Sequence, residues 1–394
     1  MKKIVICIVF VLLAIQLKAQ NIQGKVIDEV TGLGIPFVSI GILGTNNATV
    51  SNENGDFILK STAYPLKLRA SHISYQLAEL SLTENPEKLV FRLKPATLTL
   101  NVVVIDPFQG QRVLKAALEK ATANSTTNFY SNAFYRQLTT VNNRPSQIFE
   151  LFYDLKWNTK RVQGWSAKQS RYAEMNDGMA FSLNNQSYLT FSYSGYLMPA
   201  KGGKFVNLAN LADYTITIEK YIDQASQKIA VVSCKYKQAK KNQYYVNSTY
   251  YIGVEDSKIY RLENNVYNLP ISLSDAKAKY PPAVTTIATF NGDGKQIPIL
   301  ESVSTKFLLV INANGQELTS GISSLLTVYN VDDNLKNQQY EALDRKTKDK
   351  KVIESIEYDA NFWRNNPIVK QTTLEDSFIK MMESKKAFGT MINP

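Results

Sequence analysis

Short runs in which apolar and polar residues alternate fill residues 22–105, and turn-forming residues separate these runs at nearly even intervals. In one such run Val38, Ile40 and Ile42 recur at every second position, which places them on one face of a strand. The turn signals lie at residues 31–32, 44–47 and 52–55. This spacing predicts a small antiparallel sandwich in the first part of the chain.

The motifs of this region resemble a known family. Residues 24–28 (Gly-Lys-Val-Ile-Asp), Pro36 and residues 51–57 (Ser-Asn-Glu-Asn-Gly-Asp-Phe) are similar to the carboxypeptidase-regulatory-like domain of Bacteroidetes envelope proteins, which also precedes TonB-dependent receptors. The resemblance implies a seven-stranded prealbumin-like or Ig-like sandwich without catalytic residues. It also implies a closing strand at residues 100–104. One departure is Ser74, which stands where the family usually has glycine before Tyr75.

The first residues of the chain have the pattern of a secretory signal peptide. Lys2 and Lys3 precede an apolar run at residues 4–17, and Ala19 stands before the expected cleavage point at Gln20. The run is too short to cross a ~30 Å hydrocarbon core, which needs about 20 apolar residues. We therefore expect an exported protein, in the periplasm or associated with the outer membrane, whose mature chain has no transmembrane helix.

The charge balance agrees with export to an anionic environment. The net charge of +11 falls to +8 once the three lysines of the predicted signal peptide are removed. A basic exported protein is expected to face anionic lipid or polysaccharide, and nucleic acid is not an expected partner.

The pattern changes after a break at residues 106–110. Apolar residues then recur on one helical face over residues 111–124, and we expect this helix to pack on the sheet that follows. Strand patterns and hairpin turns at residues 291–294 and 312–315 predict one large curved antiparallel sheet, similar in strand pattern to a lipoprotein-carrier half-barrel. The expected organisation is a signal peptide (1–19), the sandwich (20–106), a linker helix (107–128) and a mainly β C-terminal domain with a helical tail (129–394).

The tail carries the second specific resemblance. Residues 358–369 and the Leu-Glu-Asp that begins at Leu374 resemble the family's "YDxxFWxxxxIIxxTPLE" ending. Tyr358, Phe362 and Trp363 are therefore the candidate site residues, either as anchors that dock the tail or as a binding platform. Docking is the favoured interpretation.

Few residues are suited to catalysis. His72 is the only histidine and is predicted to lie on a strand over residues 66–75, so a histidine-based zinc site or a serine triad has too few partners. Cys234 lies in an apolar run and is expected to fill core space. The acidic pairs at 332–333 and 375–376 are expected to cap helices or face solvent. We therefore predict no catalytic, cofactor-binding or metal-binding residues and no cofactor.

Basic and aromatic residues interleave over residues 235–245. A hairpin with a solvated tip is the favoured interpretation. The alternative is contact with phosphate-bearing outer-membrane lipid.

Three functions from different classes follow from these patterns. The first is a non-enzymatic envelope protein that acts as an interaction module, with an envelope protein or the anionic envelope surface as its partner. The second is a carrier or sensor of an apolar, lipid-like ligand in the concave face of the large sheet. The third is a hydrolase that uses carboxylates only.

Overall fold

The computed structural model describes residues 20–45, 47–61, 63–100, 106–175, 204–224, 227–270, 277–291, 297–313, 315–342 and 355–388. The predicted signal peptide at residues 1–19 lies outside this part of the chain. Residues 101–105, where most of the closing strand was expected, also lie outside it.

The first seven strands form the expected sandwich. They are β1 (Gln20–Asp28), β2 (Ser39–Ile42), β3 (Ala48–Val50), β4 (Asp56–Ser61), β5 (Leu66–Ser71), β6 (Ala78–Leu82) and β7 (Leu89–Leu93). One sheet has the order β4-β1-β7 and the other the order β3-β2-β5-β6. The prediction of a purely antiparallel sandwich is wrong in one detail, because β1 pairs with β7 in parallel.

The sandwich has its own core, and its turns fit the sequence pattern. Val38 and Ile40 are fully buried, and Ile42 packs against the same cluster. Gly55 has a φ of +81°, and a Cβ atom there would lie 2.4 Å from the Val26 carbonyl oxygen. Only glycine fits this turn, since it adopts a positive φ without strain and has no side chain.

The next strand leaves the sandwich. β8 (Thr97–Leu100) pairs antiparallel with β12 (Tyr214–Gln224), and Leu100 lies opposite Lys220. The described end of the expected closing strand therefore extends the second sheet. This pairing occurs because a strand at a sheet edge has unpaired backbone N–H and C=O groups, and those of β12 bind to β8.

Thirteen strands of the described chain form the large antiparallel sheet. Besides β8 and β12 they are β9 (Phe129–Val141), β10 (Arg144–Trp157), β11 (Val162–Glu174), β13 (Gln227–Tyr236), β14 (Tyr245–Gly253), β15 (Ile259–Tyr267), β16 (Lys277–Ala278), β17 (Ala283–Asn291), β18 (Ile299–Ala313), β19 (Gln316–Val331) and β20 (Glu341–Ala342). Their order is β20-β11-β10-β9-β19-β18-β17-β15-β14-β13-β12-β8, with β16 paired to β18. The predicted pairing of β17 with β18 and of β18 with β19 is confirmed.

The two faces of this sheet have different covers. Helix α1 (Gln109–Ala123) packs Leu114, Ala117 and Leu118 into the core of one face, which we call the inner face. This confirms that the helix packs on the sheet. The sandwich and the tail, defined as residues 355–388, contact the opposite or outer face. The tail contains helices α2 (Ala360–Asn365) and α3 (Thr373–Ser384).

Candidate functional site

Local capping fixes where the two tail helices begin. The Asp359 side chain accepts hydrogen bonds from the backbone N–H groups of Asn361 (2.9 Å) and Phe362 (3.0 Å), which starts α2. Thr372 and Glu375 form a reciprocal capping box at the start of α3. These caps satisfy backbone donors that a helix N-terminus leaves unpaired.

The candidate residues of the tail lie against the outer face. The Phe152 ring of β10 contacts Phe362 at 4.9 Å and Trp363 at 5.2 Å between ring centroids. Trp363 is 8 % exposed. Tyr358 stacks on Phe388 at 5.8 Å. The structure thus brings Phe362 and Trp363 together on one sheet residue and places Tyr358 beside the chain that follows α3.

Beneath the tail lies a buried ionic group that we call the Glu150 cluster: Arg136, Glu150 and Arg171. The three residues pair directly across β9, β10 and β11, so their side chains share the outer face. The Arg136 Nε donates to Glu150 at 2.6 Å, and the Arg171 Nε donates to the other carboxylate oxygen. Burial raises the pKa of Glu150, but Arg171 and Arg136 outweigh it, and the net pKa is lowered. The carboxylate is therefore ionised.

Both arginines also hold the tail. The Arg136 guanidinium lies 3.6 Å from Glu375, and the Arg171 guanidinium donates to Glu383 at 3.5 Å. The Arg171 guanidinium carbon also lies 4.5 Å from the centroid of the Trp363 ring, a cation–π distance. The Glu150 cluster therefore connects the sheet to α2 and α3.

Three consecutive carbonyl groups of the tail accept hydrogen bonds from side chains of the other two units. The Thr49 hydroxyl donates to the Ile368 oxygen at 2.5 Å, and the Asn52 amide donates to the Lys370 oxygen at 3.2 Å. Between them Arg136 donates to the Val369 oxygen at 3.2 Å. The sandwich and the sheet thus hold the same extended tail segment from two sides.

A cleft of about 630 Å³ opens where these three units meet, and we call it the tail cleft. Ile58, Trp363, Val369, Ile379 and Phe388 supply its apolar lining. Its charged lining comprises Arg171, Arg364, Lys370, Lys380, Lys386, Asp376 and Glu383. Five basic groups against two acidic groups give the lining a net positive charge, although Lys380 pairs with Asp376 at 2.7 Å and Arg171 with Glu383 at 3.5 Å. This net charge suits an anion that also has an apolar part.

The inner face has a different pattern, in which one polar row separates two apolar rows. The polar row consists of Ser248, Asn264, Thr286, Thr305, Ser324 and Gln137, each paired with the next across six adjacent strands. One flanking row is Tyr250, Leu262, Ala288, Val303, Leu326 and Tyr135, and the other is Val246, Val266, Val284, Phe307 and Ile322. Every member of the polar row is at most 4 % exposed.

Hydrogen bonds satisfy only part of this polar row. Ser248 donates to the Asn264 side-chain oxygen at 2.7 Å, and Tyr135 donates to the Gln137 side-chain oxygen at 2.6 Å. The Thr305 hydroxyl is buried without a partner in the described part of the chain. An unpaired buried hydroxyl typically costs about 1–3 kcal/mol.

The inner face is filled beside its helix. The space next to α1 has a volume of only about 10 Å³ and is lined by Ala117, Ala121, Thr159 and Ile259 among others. This is about the volume that one water molecule needs. An apolar ligand at this place beside α1 would have to displace part of this packing.

The first residue considered for catalysis, His72, lies in a turn of the sandwich that contacts the large sheet. The prediction that His72 lies on a strand is wrong, because β5 ends at Ser71 and His72 begins a turn in which its carbonyl accepts from the Tyr75 N–H. Its Nε2 lies 3.4 Å from Arg261 of the large sheet. Burial and the Arg261 charge lower the pKa of His72 to about 3. His72 thus lies at the contact between the sandwich and the sheet.

Cys234 lies in the core, and one member of each acidic pair accepts hydrogen bonds at the start of a helix. Cys234 is fully buried in β13, which confirms the expected core position, and burial raises the pKa of its thiol. Asp332 accepts from the Asn334 N–H at 2.9 Å, and Glu375 belongs to the capping box. Within the described ranges no group of three or more His, Cys, Asp or Glu side chains is placed to hold a metal ion.

Sequence reasoning missed the Glu150 cluster. Arg136, Glu150 and Arg171 each stand within a run of residues that is otherwise largely buried in the sheet. A charged residue inside a buried strand is rare unless it is paired, so these positions carried a signal. The sequence did not show which charges pair, because the pairs form only when β9, β10 and β11 lie side by side and the tail packs on them. Glu375, which pairs with Arg136, is more than 200 residues away in the chain.

No curated protein matches this chain. A LolA superfamily protein, NE2245 from Nitrosomonas europaea, is 8 % identical with a TM-score of 0.20, covering 58 % of this chain and 97 % of that protein. A putative outer membrane lipoprotein-sorting protein domain from Vibrio parahaemolyticus is 11 % identical with a TM-score of 0.24. The match covers 62 % of this chain and 99 % of that domain.

A third structure, the Pseudomonas aeruginosa MucA/MucB complex, matches at 9 % identity and a TM-score of 0.19, covering 56 % of this chain and 95 % of the matched chain. No described helix combines the length and the apolar character needed to span a membrane. The match that bears on identity is in the first domain: residues 22–105 match the CarboxypepD_reg-like domain family.

Proposed function

We propose that the protein is an exported, non-enzymatic cell-envelope protein that binds its ligand in the tail cleft. The observation that carries the proposal is the position of this cleft of about 630 Å³, which lies where the sandwich, the large sheet and the tail meet. Its volume is in the range of sites for small ligands. Export rests on the predicted signal peptide, and the Bacteroidetes origin stays a prediction.

The lining favours an anionic amphiphile. Aromatic and aliphatic side chains around Trp363 and Ile379 suit an acyl chain, while Arg364 and Lys380 suit a carboxylate or phosphate. A lipid-like molecule and an acidic segment of an envelope protein both offer such a group. The mixed lining favours the amphiphile, since a segment that is only acidic would leave the apolar wall uncovered.

In this proposal the predicted residues of the tail serve the site indirectly. Phe362 and Trp363 anchor α2 on Phe152, and Tyr358 holds the chain beside Phe388. The Glu150 cluster then fixes α3 as one wall of the cleft. We infer that these residues are docking anchors and that Trp363 also contributes to the cleft wall.

The two alternative functions have less support in the described chain. A carrier site on the inner face has only about 10 Å³ of space beside α1. A hydrolase that uses carboxylates needs two carboxyl groups facing one substrate, whereas Asp332 and Glu375 accept hydrogen bonds at helix starts.

Calorimetric titration of the mature chain with dodecyl phosphate tests the proposal. The double variant Arg364→Gln/Lys380→Gln removes two basic groups of the cleft, and we expect its affinity to fall about tenfold or more. The matched control is Lys88→Gln/Lys94→Gln, which removes the same charge from exposed positions of the sandwich. We expect the control to bind as the unmodified protein does.

Two further probes assign the source of affinity. Dodecyl maltoside has the same apolar chain without the anion, and inorganic phosphate has the anion without the chain. We expect both to bind more weakly than dodecyl phosphate. Equal losses in the two double variants, or no binding of dodecyl phosphate by the unmodified protein, would overturn the proposed cleft function.

A further inference from the structure

The loop between β13 and β14, residues 237–244, is basic and exposed. Lys237, Lys240 and Lys241 are all exposed, and residues 235–245 contain no acidic residue. None of these three lysines forms an ion pair with a residue in the described ranges. The Lys237 ammonium donates to the Ala212 carbonyl oxygen at 2.8 Å. The ammonium groups of Lys240 and Lys241 are therefore the ones available to a partner outside the chain.

Hydrogen bonds give this loop a defined position. The Asn268 side-chain amide donates to the carbonyl oxygens of Gln243 (2.8 Å) and Lys240 (3.3 Å). On the other side the Lys237 N–H donates to the Asp213 carbonyl at 2.9 Å. The loop is thus held between the end of β15 and the start of β12.

Tyrosines form a row beside the loop. Tyr214, Tyr236, Tyr245 and Tyr267 come from four adjacent strands, with successive ring centroids 5.5, 6.2 and 4.7 Å apart. The Lys204 ammonium lies 5.3 Å from the Tyr236 ring centroid. We call Lys204, Tyr236, residues 237–244, Tyr245 and Tyr267 the basic tip.

We propose that the basic tip docks the protein on the surface of a membrane that contains anionic phospholipid. Lysines close to such a surface are attracted by the negative potential of its headgroups. Tyrosines are favoured at the headgroup level, because their rings are apolar and their hydroxyls are polar. Tyr236, Tyr245 and Tyr267 are all half-buried, so the row is in part accessible beside the lysines.

The arrangement favours a membrane over a folded or extended protein partner. Lysine ammonium groups on flexible stems act as point charges, which suits phosphates that move within a bilayer. Recognition of an acidic peptide typically uses arginine clusters with planar, bidentate geometry, and residues 237–244 contain no arginine.

Vesicle sedimentation of the full mature chain tests this inference. We expect binding to vesicles of equal parts phosphatidylglycerol and phosphatidylcholine, and little binding to phosphatidylcholine alone. Lys240→Gln/Lys241→Gln should weaken the partition coefficient by about 30-fold, since each lysine near an anionic surface contributes roughly fivefold. The control Lys88→Gln/Lys94→Gln, with the same net charge, should lose much less.

Four outcomes would overturn the membrane proposal: equal losses in the two double variants, full binding by the tip variant, equal binding to both vesicle types, or no binding to either. The result is independent of the tail cleft. The cleft variant Arg364→Gln/Lys380→Gln should still bind anionic vesicles, and the tip variant should still bind dodecyl phosphate.

Discussion

The two faces of the large sheet bury different kinds of polar group, ions on the outer face and neutral side chains on the inner face. Alternate residues of the same strands form the two faces. On the outer face Arg136 and Glu150 are buried as ions, and each has several partners. On the inner face a row of neutral polar residues lies between apolar rows, and the Thr305 hydroxyl has no partner in the described chain. Of the four charged residues buried in the described chain, Arg136, Glu150 and Arg171 lie where the three units meet, whereas Asp154 pairs with Lys168 within the sheet region.

This difference shows what a buried ion contributes to the architecture. Removing charges from water is costly, and the cost is recovered only with good geometry and additional hydrogen bonds. The arginines obtain these from Glu150 and from the tail, so the ions are satisfied only when the tail is in place. We infer that the Glu150 cluster specifies the docked position of the tail and thereby forms the tail cleft.

Glu150→Gln should have one of the two largest effects on stability, in the same range as Trp363→Ala. The substitution leaves Arg136 and Arg171 buried without their shared carboxylate, and breaking a buried pair typically costs about 3–5 kcal/mol of unfolding free energy. Urea denaturation of the mature chain measures the change. The control Glu119→Gln breaks the exposed pair with Lys115, and its effect should stay within about 0.5 kcal/mol.

A small effect of Glu150→Gln, similar to that of Glu119→Gln, would contradict the distinction between the faces. It would mean that the outer-face ions are not needed to hold the tail.

Trp363→Ala should cost about 3–5 kcal/mol, the usual range for deletion of a buried aromatic side chain. Trp363 contacts Phe152 and Arg171, so its loss leaves a cavity between the tail and the sheet. Thermal unfolding measures the change, and iodide quenching of tryptophan fluorescence should be weak in the unmodified protein. An unchanged melting temperature with efficient quenching would identify Trp363 as an exposed platform.

Acid should weaken the contact between the sandwich and the outer face through His72. The folded-state pKa of His72 is about 3, below the usual value of 6.5. The unfolded chain therefore takes up a proton first, so stability is full above pH 6.5 and falls as the pH drops toward 3. At pH 4.5 this should cost about 1–3 kcal/mol relative to pH 8.

His72→Gln isolates this effect, because it removes the titrating group. Urea denaturation at both pH values should show a smaller acid loss in the variant than in the unmodified protein. Equal losses would show that other groups account for the pH dependence.

Thr305→Val should have the smallest effect and the opposite sign. It replaces an unpartnered buried hydroxyl with a methyl group of similar shape, so the unfolding free energy should be unchanged or rise by about 1 kcal/mol. Thr139→Val is the matched inner-face control, since the Thr139 hydroxyl donates to the Gln147 side chain at 3.2 Å and its loss should destabilise. Destabilisation by Thr305→Val would show that this hydroxyl has a partner.

Local patterns in the sequence determined much of the fold. The alternation around Val38 and the glycine turn at Gly55 depend on neighbours within a few residues, and both appear in the sandwich. The apolar face of α1 and the helix cap expected at the acidic pair 375–376 are likewise local, and both are present, with Glu375 in the capping box. A helix or a turn follows from its own residues, because its hydrogen bonds join positions close in the chain.

Only the tertiary structure decided how these units combine. Leu100 pairs with Lys220, Arg136 reaches Val369 and Glu375, and six polar residues from separate strands form one row. Each of these contacts depends on strand order and on register, and a shift of one residue would exchange the two faces of a strand. The sequence therefore determined the elements and their buried sides, whereas the tail cleft exists only because distant segments meet on one face.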